Sequence, residues 1–335
     1  MLSNLLESLY NKVIVNIIIK HSSTEIYIEL CSKKGVISSE QKIFETLSLS
    51  KEMLAFMDSY IKESPYYYIA ILDNSVEQGA FPTCAKNRLA YFHDLSASEY
   101  KCHNSSWTYH TSKNDLYKLE KLYAKSGIDL VFSPFTLLSN FFIDKISSNI
   151  AMYLVVQETS VTLAIFDKGD MLYAHYIDMQ RDEESEEILT QDLDESEDLG
   201  IDVGIDLDDI DVIDDLDDFG DIEDLDSIED IDQFSQSQDI EEEFYESEEP
   251  VVESKDDNTN GDYKRFMAVQ SSIAIYYSEE KYKGGFIENT YIADGVGVSG
   301  DLKRYLEEEM FLNVYVRHIE MGMELSSLAK MELNL

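Results

Sequence analysis

The stretch YIADGVGVSGDLKRYLEEEMFLNVYV, residues 291–316, decides the fold class. It reads as a strand, a turn with Gly295, Gly297 and Gly300, a helix and a second strand, because the apolar spacing changes on either side of the glycines. Glycines between a strand and a helix let a phosphate approach the helix N-terminus. The stretch therefore predicts an α/β unit whose turn either contacts a nucleotide or only reverses the chain.

A Rossmann-type dinucleotide site is disfavoured by the position of this unit. A Rossmann fingerprint belongs to the first βα unit and needs an acidic ribose ligand on the next strand. Here the unit lies near the end of the sequence, and the next strand ends in Val316, Arg317 and His318. The remaining alternatives are a plain tight turn and a nucleotide site of another fold.

Working outward, the rest of the chain alternates between strand-like and helix-like segments. Apolar runs punctuated by turn residues predict two antiparallel meanders, at 13–44 and at 150–178. Helical spacing at 49–64 precedes a fully apolar run at 66–73, which is typical of a buried strand. The two meanders resemble each other in outline, so an internal duplication into two lobes is one interpretation.

The charge of the chain is concentrated in one segment. The formal net charge is −42, and residues 181–260 hold 36 acidic against two basic side chains, which leaves −8 for the remainder. This charge density predicts a disordered acidic insertion. It is a solubilising linker, a docking segment for a basic partner or a nucleic-acid mimic. Under the docking hypothesis, the single apolar residues Leu216, Phe219, Ile222 and Leu225 contact the partner.

The composition also excludes several classes of protein. A net-negative chain is repelled by phosphate backbones and anionic lipids, so we expect neither nucleic-acid binding nor membrane insertion. No apolar run reaches the length of a membrane span, and the first residues do not resemble a signal peptide. Cys31, Cys84 and Cys102 are odd in number and lack a CxxC pair, which predicts free thiols in a reducing, cytoplasmic compartment.

The order of these segments resembles the actin-like ATPase superfamily, and within it the PilM pilus-assembly proteins and the GspL type II secretion proteins. The resemblance is carried by residues 291–316, by SKNDLYKLEKLYAKSGIDLVFSPFTLLSNFF (112–142), by TSVTLAIFDKGDMLYAHYI (159–177) and by DYKRFMAVQSSIAIYY (262–277). It implies an α/β, two-lobed actin-like fold, a duplicated ribonuclease H-like fold. We expect the first lobe at 1–145 and the second at 146–335, interrupted by the disordered acidic insertion at 181–260.

The sequence departs from the pattern of this superfamily at the residues that bind the nucleotide. Active members hold Mg-ATP between two hairpins that each need an Asp and a Gly. The first hairpin here offers Lys20 and His21, and the second offers Gln157 and Glu158. Only the turn with Gly295, Gly297 and Gly300 remains, with Lys20 as a possible phosphate contact, so the resemblance implies at most a vestigial nucleotide site. No metal-binding or catalytic motif occurs elsewhere, so we expect no metal, no cofactor and no enzyme activity.

The resulting hypothesis is a non-catalytic cytoplasmic scaffold that associates with the inner membrane through its partners. As in PilM-like and GspL-like proteins, the resemblance implies a role in a pilus, type II secretion or DNA-uptake apparatus. The protein would bind the cytoplasmic tail of a membrane-anchored assembly protein and dock a basic partner, such as an assembly ATPase, through its acidic tract. The alternative is a nucleotide-dependent actin-like ATPase with an atypical phosphate site.

Overall fold

Two five-stranded mixed sheets form the body of the protein in a computed structural model that describes residues 10–180 and 257–335, apart from residues 283 and 299. The predicted disordered insertion lies outside the described residues except for its last four positions. These four positions are helical, because they begin helix α6 (Asp257–Ser278). Elements are numbered in chain order. No helix within the described ranges is long and apolar enough to cross a membrane.

The first sheet has the strand order β3-β2-β1-β4-β8. Its strands are β1 (Lys12–Ile19), β2 (Thr24–Ser32), β3 (Gly35–Phe44), β4 (Tyr66–Leu72) and β8 (Leu130–Phe132). The first three strands pair antiparallel, as the predicted meander requires, and β4 and β8 join parallel to β1 and to each other. The apolar runs of β1 and β4 lie in the middle of the sheet, where both faces are buried.

The second sheet repeats this order and these directions as β11-β10-β9-β12-β13. Its strands are β9 (Ala151–Val156), β10 (Ser160–Asp167), β11 (Asp170–Asp178), β12 (Asn289–Asp294) and β13 (Asn313–His318). Two copies of one 3-2-1-4-5 topology confirm the predicted duplication. The fold is α/β and two-lobed, with the duplicated ribonuclease H-like architecture of actin-like proteins.

Helices cover both faces of the sheets and define three cores. Outside the first sheet pack α1 (Lys51–Ile61) and α3 (Lys113–Leu122), and outside the second pack α6 (Asp257–Ser278) and α7 (Gly300–Met310). The inner faces of both sheets share a third core with α4 (Pro134–Phe141) and α8 (Met321–Glu332). The short helix α5 (Ile143–Ile146) follows α4. Because the inner core draws on both sheets, burial of one continuous apolar surface holds the lobes together.

Helix α8 packs on the first sheet although it follows the second sheet in the chain. Gly322 lies against Tyr27 of β2 so closely that a Cβ at Gly322 would stand 2.4 Å from the Tyr27 Cβ. Lys330 forms an ion pair with Glu29 of β2 at 2.8 Å. The predicted division at residues 145 and 146 assigns this helix to the second lobe, whereas its side chains complete the layer over the first sheet.

A small third sheet, which no sequence pattern predicted, is inserted between β4 and α3. Its order is β5-β7-β6, with β5 (Gln78–Phe81), the one-turn helix α2 (Lys86–Leu89), β6 (Ser98–His103) and β7 (Trp107–Ser112). Strand β5 lies beside β11 of the second lobe. The insertion therefore adds a second point of contact between the lobes.

The predicted state of the cysteines is wrong for two of the three. Cys84 and Cys102 form a disulfide across the small sheet, over a sequence separation of 18 residues. An odd count and the lack of a CxxC pair could not reveal a bond that depends on how β6 packs. Cys31 is free and buried, and burial beside Glu29 raises the pKa of its thiol to about 11. This thiol is therefore protonated and unreactive at neutral pH.

Candidate functional site

The β1–β2 and β9–β10 turns have the same form and meet at the inner ends of the two sheets. Lys20 donates its backbone N–H to the Ser23 carbonyl, and Gln157 donates its backbone N–H to the Ser160 carbonyl, each at 2.9 Å. The duplication thus brings two equivalent hairpin tips to one place. Such paired hairpins are the element that the resemblance to actin-like proteins assigns to phosphate binding.

The two tips contact each other directly. His21 follows Lys20, and Glu158 follows Gln157, so they hold equivalent positions in the two turns. The His21 backbone N–H donates to the Glu158 carboxylate at 3.4 Å, and Gln180, at the end of β11, hydrogen-bonds the His21 ring. Glu158, which could have held a metal ion, is instead a link between the lobes.

A cleft of about 670 Å³ opens between these hairpins and the glycine-rich turn. It brings together three of the predicted site residues, Lys20, Gly295 and Gly297, whereas Gly300 is the first residue of α7 and does not line it. Residues from both hairpins, both lobes and α8 complete its wall: Ile18, Ile19, Asn74, Gln157, Glu158, Thr159, Arg265, Val296, His318 and Met321.

The backbone amides of the glycine-rich turn are occupied by a carboxylate of the chain itself. Asp294, the last residue of β12, is only 8% exposed. Its Oδ1 accepts from the amides of Val296 at 3.0 Å and Gly297 at 2.8 Å, and its Oδ2 accepts from the amide of Val298 at 2.9 Å. The donors that such a turn offers to a phosphate oxygen are therefore already satisfied internally.

The glycines of this turn also have structural reasons to be glycine. A Cβ at Gly295 would lie 2.8 Å from the Met321 Cε and 3.0 Å from the Val156 carbonyl oxygen. Gly297 has φ +71°, a left-handed conformation that glycine adopts without strain. Close packing and turn geometry thus account for Gly295 and Gly297, as the plain-turn alternative expects.

Lys20, the predicted phosphate contact, forms an ion pair with a residue of the first sheet. Its Nζ lies 2.7 Å from Oε2 of Glu25, whose side chain is 6% exposed. A phosphate would have to compete with this carboxylate for the ammonium group. The lysine therefore faces the cleft as half of an ion pair.

Arg265, the other strong cation of the cleft, was not predicted from the sequence. It lies on α6, and its Nη1 is 2.9 Å from Oδ1 of Asp262, which is fully buried. Oδ2 of Asp262 accepts from the amide of Leu302 at 3.3 Å, so the carboxylate also caps the start of α7. The signal that could have found this pair is the Asp-x-x-Arg spacing on the helix before the glycine-rich turn.

The two cations of the cleft, Lys20 and Arg265, are thus each paired with a carboxylate of the chain. His318 at the rim pairs with Glu320 at 2.9 Å. Across residues 10–180 and 257–335, no three His, Cys, Asp or Glu side chains lie together in a geometry that could hold a metal ion. The predicted partner contacts Leu216, Phe219, Ile222 and Leu225 lie outside the described residues.

A second concavity, the aromatic groove, separates the small sheet from helices α4, α5 and α8. It has a volume of about 550 Å³ and is lined by Trp107, Tyr109, Phe132, Phe166 and Ile143 among others. Edge strands β6 and β8 border it, and Ile143 stands at its rim with 70% of its surface exposed. Trp107, Phe132 and Phe166 are themselves buried, so the apolar contact that the groove offers to an extended peptide beside the strand edges is Ile143. The groove was missed because it depends on the unpredicted small sheet.

The strand order and the cleft between paired hairpins define the protein as a two-lobed member of the actin-like fold class. The chain belongs to the family described as "Domain of unknown function (DUF8341)", whose model matches residues 152–334. A second model, "Domain of unknown function (DUF8569)", matches residues 10–139. The two matches fall on the two repeats of the fold.

Solved structures with a similar fold share little sequence with this chain. A protein from Bacteroides thetaiotaomicron VPI-5482 with an actin-like ATPase fold and unknown function is 11% identical, over 97% of this chain and 98% of its own, with a TM-score of 0.47. A chain of the PilM-PilN type IV pilus biogenesis complex is 9% identical, over 90% of this chain and 87% of its own, with a TM-score of 0.45. MreB 5 of Spiroplasma citri bound to AMPPNP is 8% identical, over 96% of this chain and 97% of its own, with a TM-score of 0.44. No curated protein matches the chain.

Proposed function

We propose that the protein is a non-catalytic scaffold that acts by binding other proteins. The observation that carries this proposal is the engagement of the glycine-turn amides by Asp294. If this turn bound a phosphate, these amides would have to be free to donate to it. Here a ligand phosphate would have to displace a nearly buried carboxylate and would meet its negative charge.

The residues present do not fit Mg-ATP, the ligand that actin-like ATPases hold at this place. A magnesium ion needs carboxylate or water-bridged oxygen ligands, and neither hairpin offers an Asp. The one hairpin carboxylate at hand, Glu158, accepts from His21 in the opposite lobe. No hydrolytic step is therefore assigned to this cleft.

The proposed ligand is a short segment of a membrane-anchored assembly protein. Support for the biological setting comes from the sequence resemblance to PilM-like and GspL-like proteins, which favours a role in a pilus, type II secretion or DNA-uptake apparatus. The protein would then reach the inner membrane through its partner. The cleft holds the partner's tail, and the aromatic groove is the second surface of suitable size.

A nucleotide-binding measurement tests the non-catalytic part of the proposal. Titration calorimetry with Mg-ATP on the full-length protein is expected to show no saturable heat at millimolar nucleotide. The matched variant is Gly297→Val, which places a β-branched side chain at φ +71° in the turn. Saturable binding that Gly297→Val weakens would favour the alternative, a nucleotide-dependent actin-like ATPase.

A pair of matched variants tests which surface binds the partner. Val296 lines the cleft and Ile143 the aromatic groove, and both side chains are exposed, so Val296→Arg and Ile143→Arg each add one charge without disturbing a core. Full-length protein is used to isolate partners from detergent-solubilised membranes, followed by mass spectrometry. Inner-membrane pilus or secretion proteins should be recovered with wild type and with Ile143→Arg, but not with Val296→Arg.

Other results change the proposal in defined ways. Loss with Ile143→Arg alone would move the binding site to the aromatic groove. Recovery of soluble metabolic proteins only, with every variant, would contradict the scaffold function.

The acidic tract is proposed as the second contact, to a basic partner such as an assembly ATPase. Replacement of Leu216 and Phe219 by Ser removes two apolar side chains and keeps all of the charge. Partner recovery is expected to fall if these residues insert into a groove. Unchanged recovery would reduce the tract to a linker.

A further inference from the structure

Helix α6 lies on the outer side of the second sheet and carries apolar side chains on both of its faces. The inner face packs into the core, where Phe266, Val269 and Tyr276 are at most 4% exposed. The opposite face is turned to solvent, yet Met267 and Ile275 lie on it with 43% and 36% of their surfaces exposed. At about 100° per residue, this opposite face comprises the following positions, which we call the outer face of α6: Lys264, Met267, Ala268, Ser271, Ala274, Ile275 and Ser278.

The outer face of α6 carries little charge for a helix at the surface. Residues 266–278 include no charged side chain, although 28% of the whole chain is charged. Helix α7 covers the same side of the same sheet and shows the usual pattern, since its exposed Lys303 pairs with Glu307 at 3.8 Å. Apolar and small side chains in place of charges are typical of a helix face that packs against another protein.

The spacing along the outer face of α6 fits a second helix. Its positions recur at intervals of three and four residues, at 264, 267, 271, 274 and 278, which is the seam of a two-helix coil. Ser271 and Ala274 in the middle are small enough for two backbones to approach to about 8 Å. Met267 and Ile275 lie on either side of them and supply the larger apolar contacts.

We propose that the outer face of α6 binds the same face of a second copy of the protein, with the two helices antiparallel and a twofold axis at Ser271. In this arrangement Met267 of one copy packs on Ile275 of the other, and Ala268 packs on Ala274. The twofold axis repeats each contact. Large apolar side chains thus meet large ones and small side chains meet small ones, so the face is complementary to itself.

The charges at the two ends of this face favour the same occupant and the same direction. Lys264 lies at its N-terminal end, and Glu279 and Glu280 follow its C-terminal end. In an antiparallel pair, Lys264 of each copy lies beside Ser278 and within one helical turn of the carboxylates of the other copy. In a parallel pair, lysine would face lysine and the two helix dipoles would be aligned. One surface therefore supplies both halves of the charge complementarity.

Pairing through α6 places two copies of every other binding surface on one particle. A membrane that displays several partner tails would then hold the pair more tightly than a single copy, because the second attachment is intramolecular. The pairing itself does not depend on the scaffold function, since it concerns only two copies of this chain.

The first test is sedimentation equilibrium of the full-length protein. Each copy has a net charge of −42, so the measurement is made at about 0.5 M NaCl, where the repulsion between copies is screened. Wild type is expected to be dimeric at about 100 μM, and Met267→Arg should raise the dissociation constant at least about tenfold by burying a charge opposite Ile275.

The matched control is Met323→Arg, which makes the same replacement at a half-exposed position of α8. It should dimerise like wild type. A monomeric wild type at this concentration, or equal dissociation constants for the two variants, would overturn the proposal.

The second test fixes the direction of the helices with cysteines. In the antiparallel pair, position 267 faces position 275, whereas the two copies of either position lie about 12 Å apart along the helix axes, beyond the reach of a disulfide. Oxidised glutathione should therefore cross-link a mixture of Met267→Cys and Ile275→Cys proteins, but neither variant alone. Cys31 is buried and Cys84 is bonded to Cys102, so the native cysteines do not compete. Equal cross-linking of each variant with itself, or none in the mixture, would contradict the antiparallel pair.

Discussion

The two sheets share one strand order, but the third strands of the two repeats, β3 and β11, differ in their surroundings. In the first repeat, β3 exposes nine of its ten residues. In the second repeat, β11 is mostly buried or half-buried, because the small sheet lies beside it. The shared topology fixes the central strands and the hairpin tips, whereas the edges are free to differ. The edge strand β3 of the first repeat is open to solvent, whereas the edge strand β11 of the second repeat contacts the small sheet and so connects the lobes.

The comparison extends to single residues at the ends of the central strands. In the second sheet Val156 of β9 lies opposite Asp294. In the first sheet, continuing the β1–β4 register two residues past Ile17 and Ile71 places Ile19 opposite Asp73. Asp73 and Asp294 are therefore equivalent, and each accepts from the backbone after its strand. Asp73 accepts from the Ser75 amide at 2.9 Å, whereas Asp294 accepts from three amides.

The largest expected effect comes from breaking the attachment of α8 to the first repeat. Burial alone would raise the pKa of Glu29, but hydrogen bonds from Lys330 and Tyr27 outweigh it and hold this pKa below its usual value. Lys330→Met leaves the carboxylate buried without its cation and should lower the free energy of unfolding by about 3 kcal/mol in urea denaturation at pH 7. Since a depressed pKa stabilises only above the unfolded value, this deficit should shrink as the pH falls below about 4.

The control for this variant lies in the second repeat. Lys303 pairs with Glu307 on α7 at 3.8 Å, and both side chains are solvent-exposed. Lys303→Met should cost less than about 1 kcal/mol. Similar losses in the two variants would show that α8 is not held by this ion pair.

The next effect concerns the small sheet, which the described part of the chain contains in the first repeat and not in the second. Replacing Cys84 and Cys102 by Ser opens a loop of 18 residues, which should cost about 3 kcal/mol of stability. Trp107 is the one tryptophan of the chain and lies in β7, so its fluorescence reports on this sheet. A reductant should lower the midpoint of wild type to that of the double variant and leave the variant unchanged. A wild-type midpoint insensitive to reductant would contradict this expectation.

A pH effect of about 2 kcal/mol is expected from the same sheet. His110 is 6% exposed and stacks on Phe81, with ring centroids 4.7 Å apart, and burial and the neighbouring His93 lower its pKa to about 4. Between pH 6.5 and 4 the unfolded chain binds a proton that the folded chain does not, so stability falls as the pH falls. From pH 7 to 5 this contributes at most about 2 kcal/mol.

The pH effect is measured as a difference between variants. His110→Phe should lose this part of the pH dependence of Trp107-detected unfolding, whereas His318→Gln, at an exposed position, should retain it. Equal slopes for the two variants would contradict the assignment to His110.

The smallest expected effect compares the carboxylates at the two equivalent strand ends, Asp73 and Asp294. Asp294→Ala removes acceptors for three amides and should cost about 2 kcal/mol, whereas Asp73→Ala removes acceptors for the Ser75 amide and hydroxyl and should cost about 1 kcal/mol. Burial also raises the pKa of Asp73, whereas hydrogen bonds from Ser75 and Thr111 lower it. Urea denaturation of both variants at pH 7 gives the difference. Equal costs would mean that the two loops depend on their carboxylates to the same degree.

Sequence patterns predicted the elements whose signal is local. The apolar run at 66–73 is β4 (Tyr66–Leu72), and the helix expected after the glycine-rich turn is α7 (Gly300–Met310). Strand β8 starts at Leu130, directly after Asp129, whose side chain accepts from the Ile69 amide at 2.8 Å. Periodicity identified the elements, and tertiary hydrogen bonds set where they begin.

The missed features depend on contacts between distant parts of the chain. Strand β5 has four residues and β6 exposes most of its side chains, so neither shows an apolar run. The predicted residues Lys20, Gly295 and Gly297 do converge on the cleft, but the partners that satisfy them did not follow from spacing. The turn at Asp294 was predictable, since an Asp-Gly pair after a strand is a turn signal, but its bonds to three amides were not.

The placement of helix α8 has a consequence for synthesis of the chain on the ribosome. Residues 12–132 contain the whole first sheet, yet its inner face remains uncovered until residues 321–332 have been translated. During that interval, Ile14, Ala70 and their neighbours expose apolar surface that recruits holding chaperones. The first repeat is therefore made early and completed late, and a ribosome stalled within the acidic tract would carry a half-covered sheet.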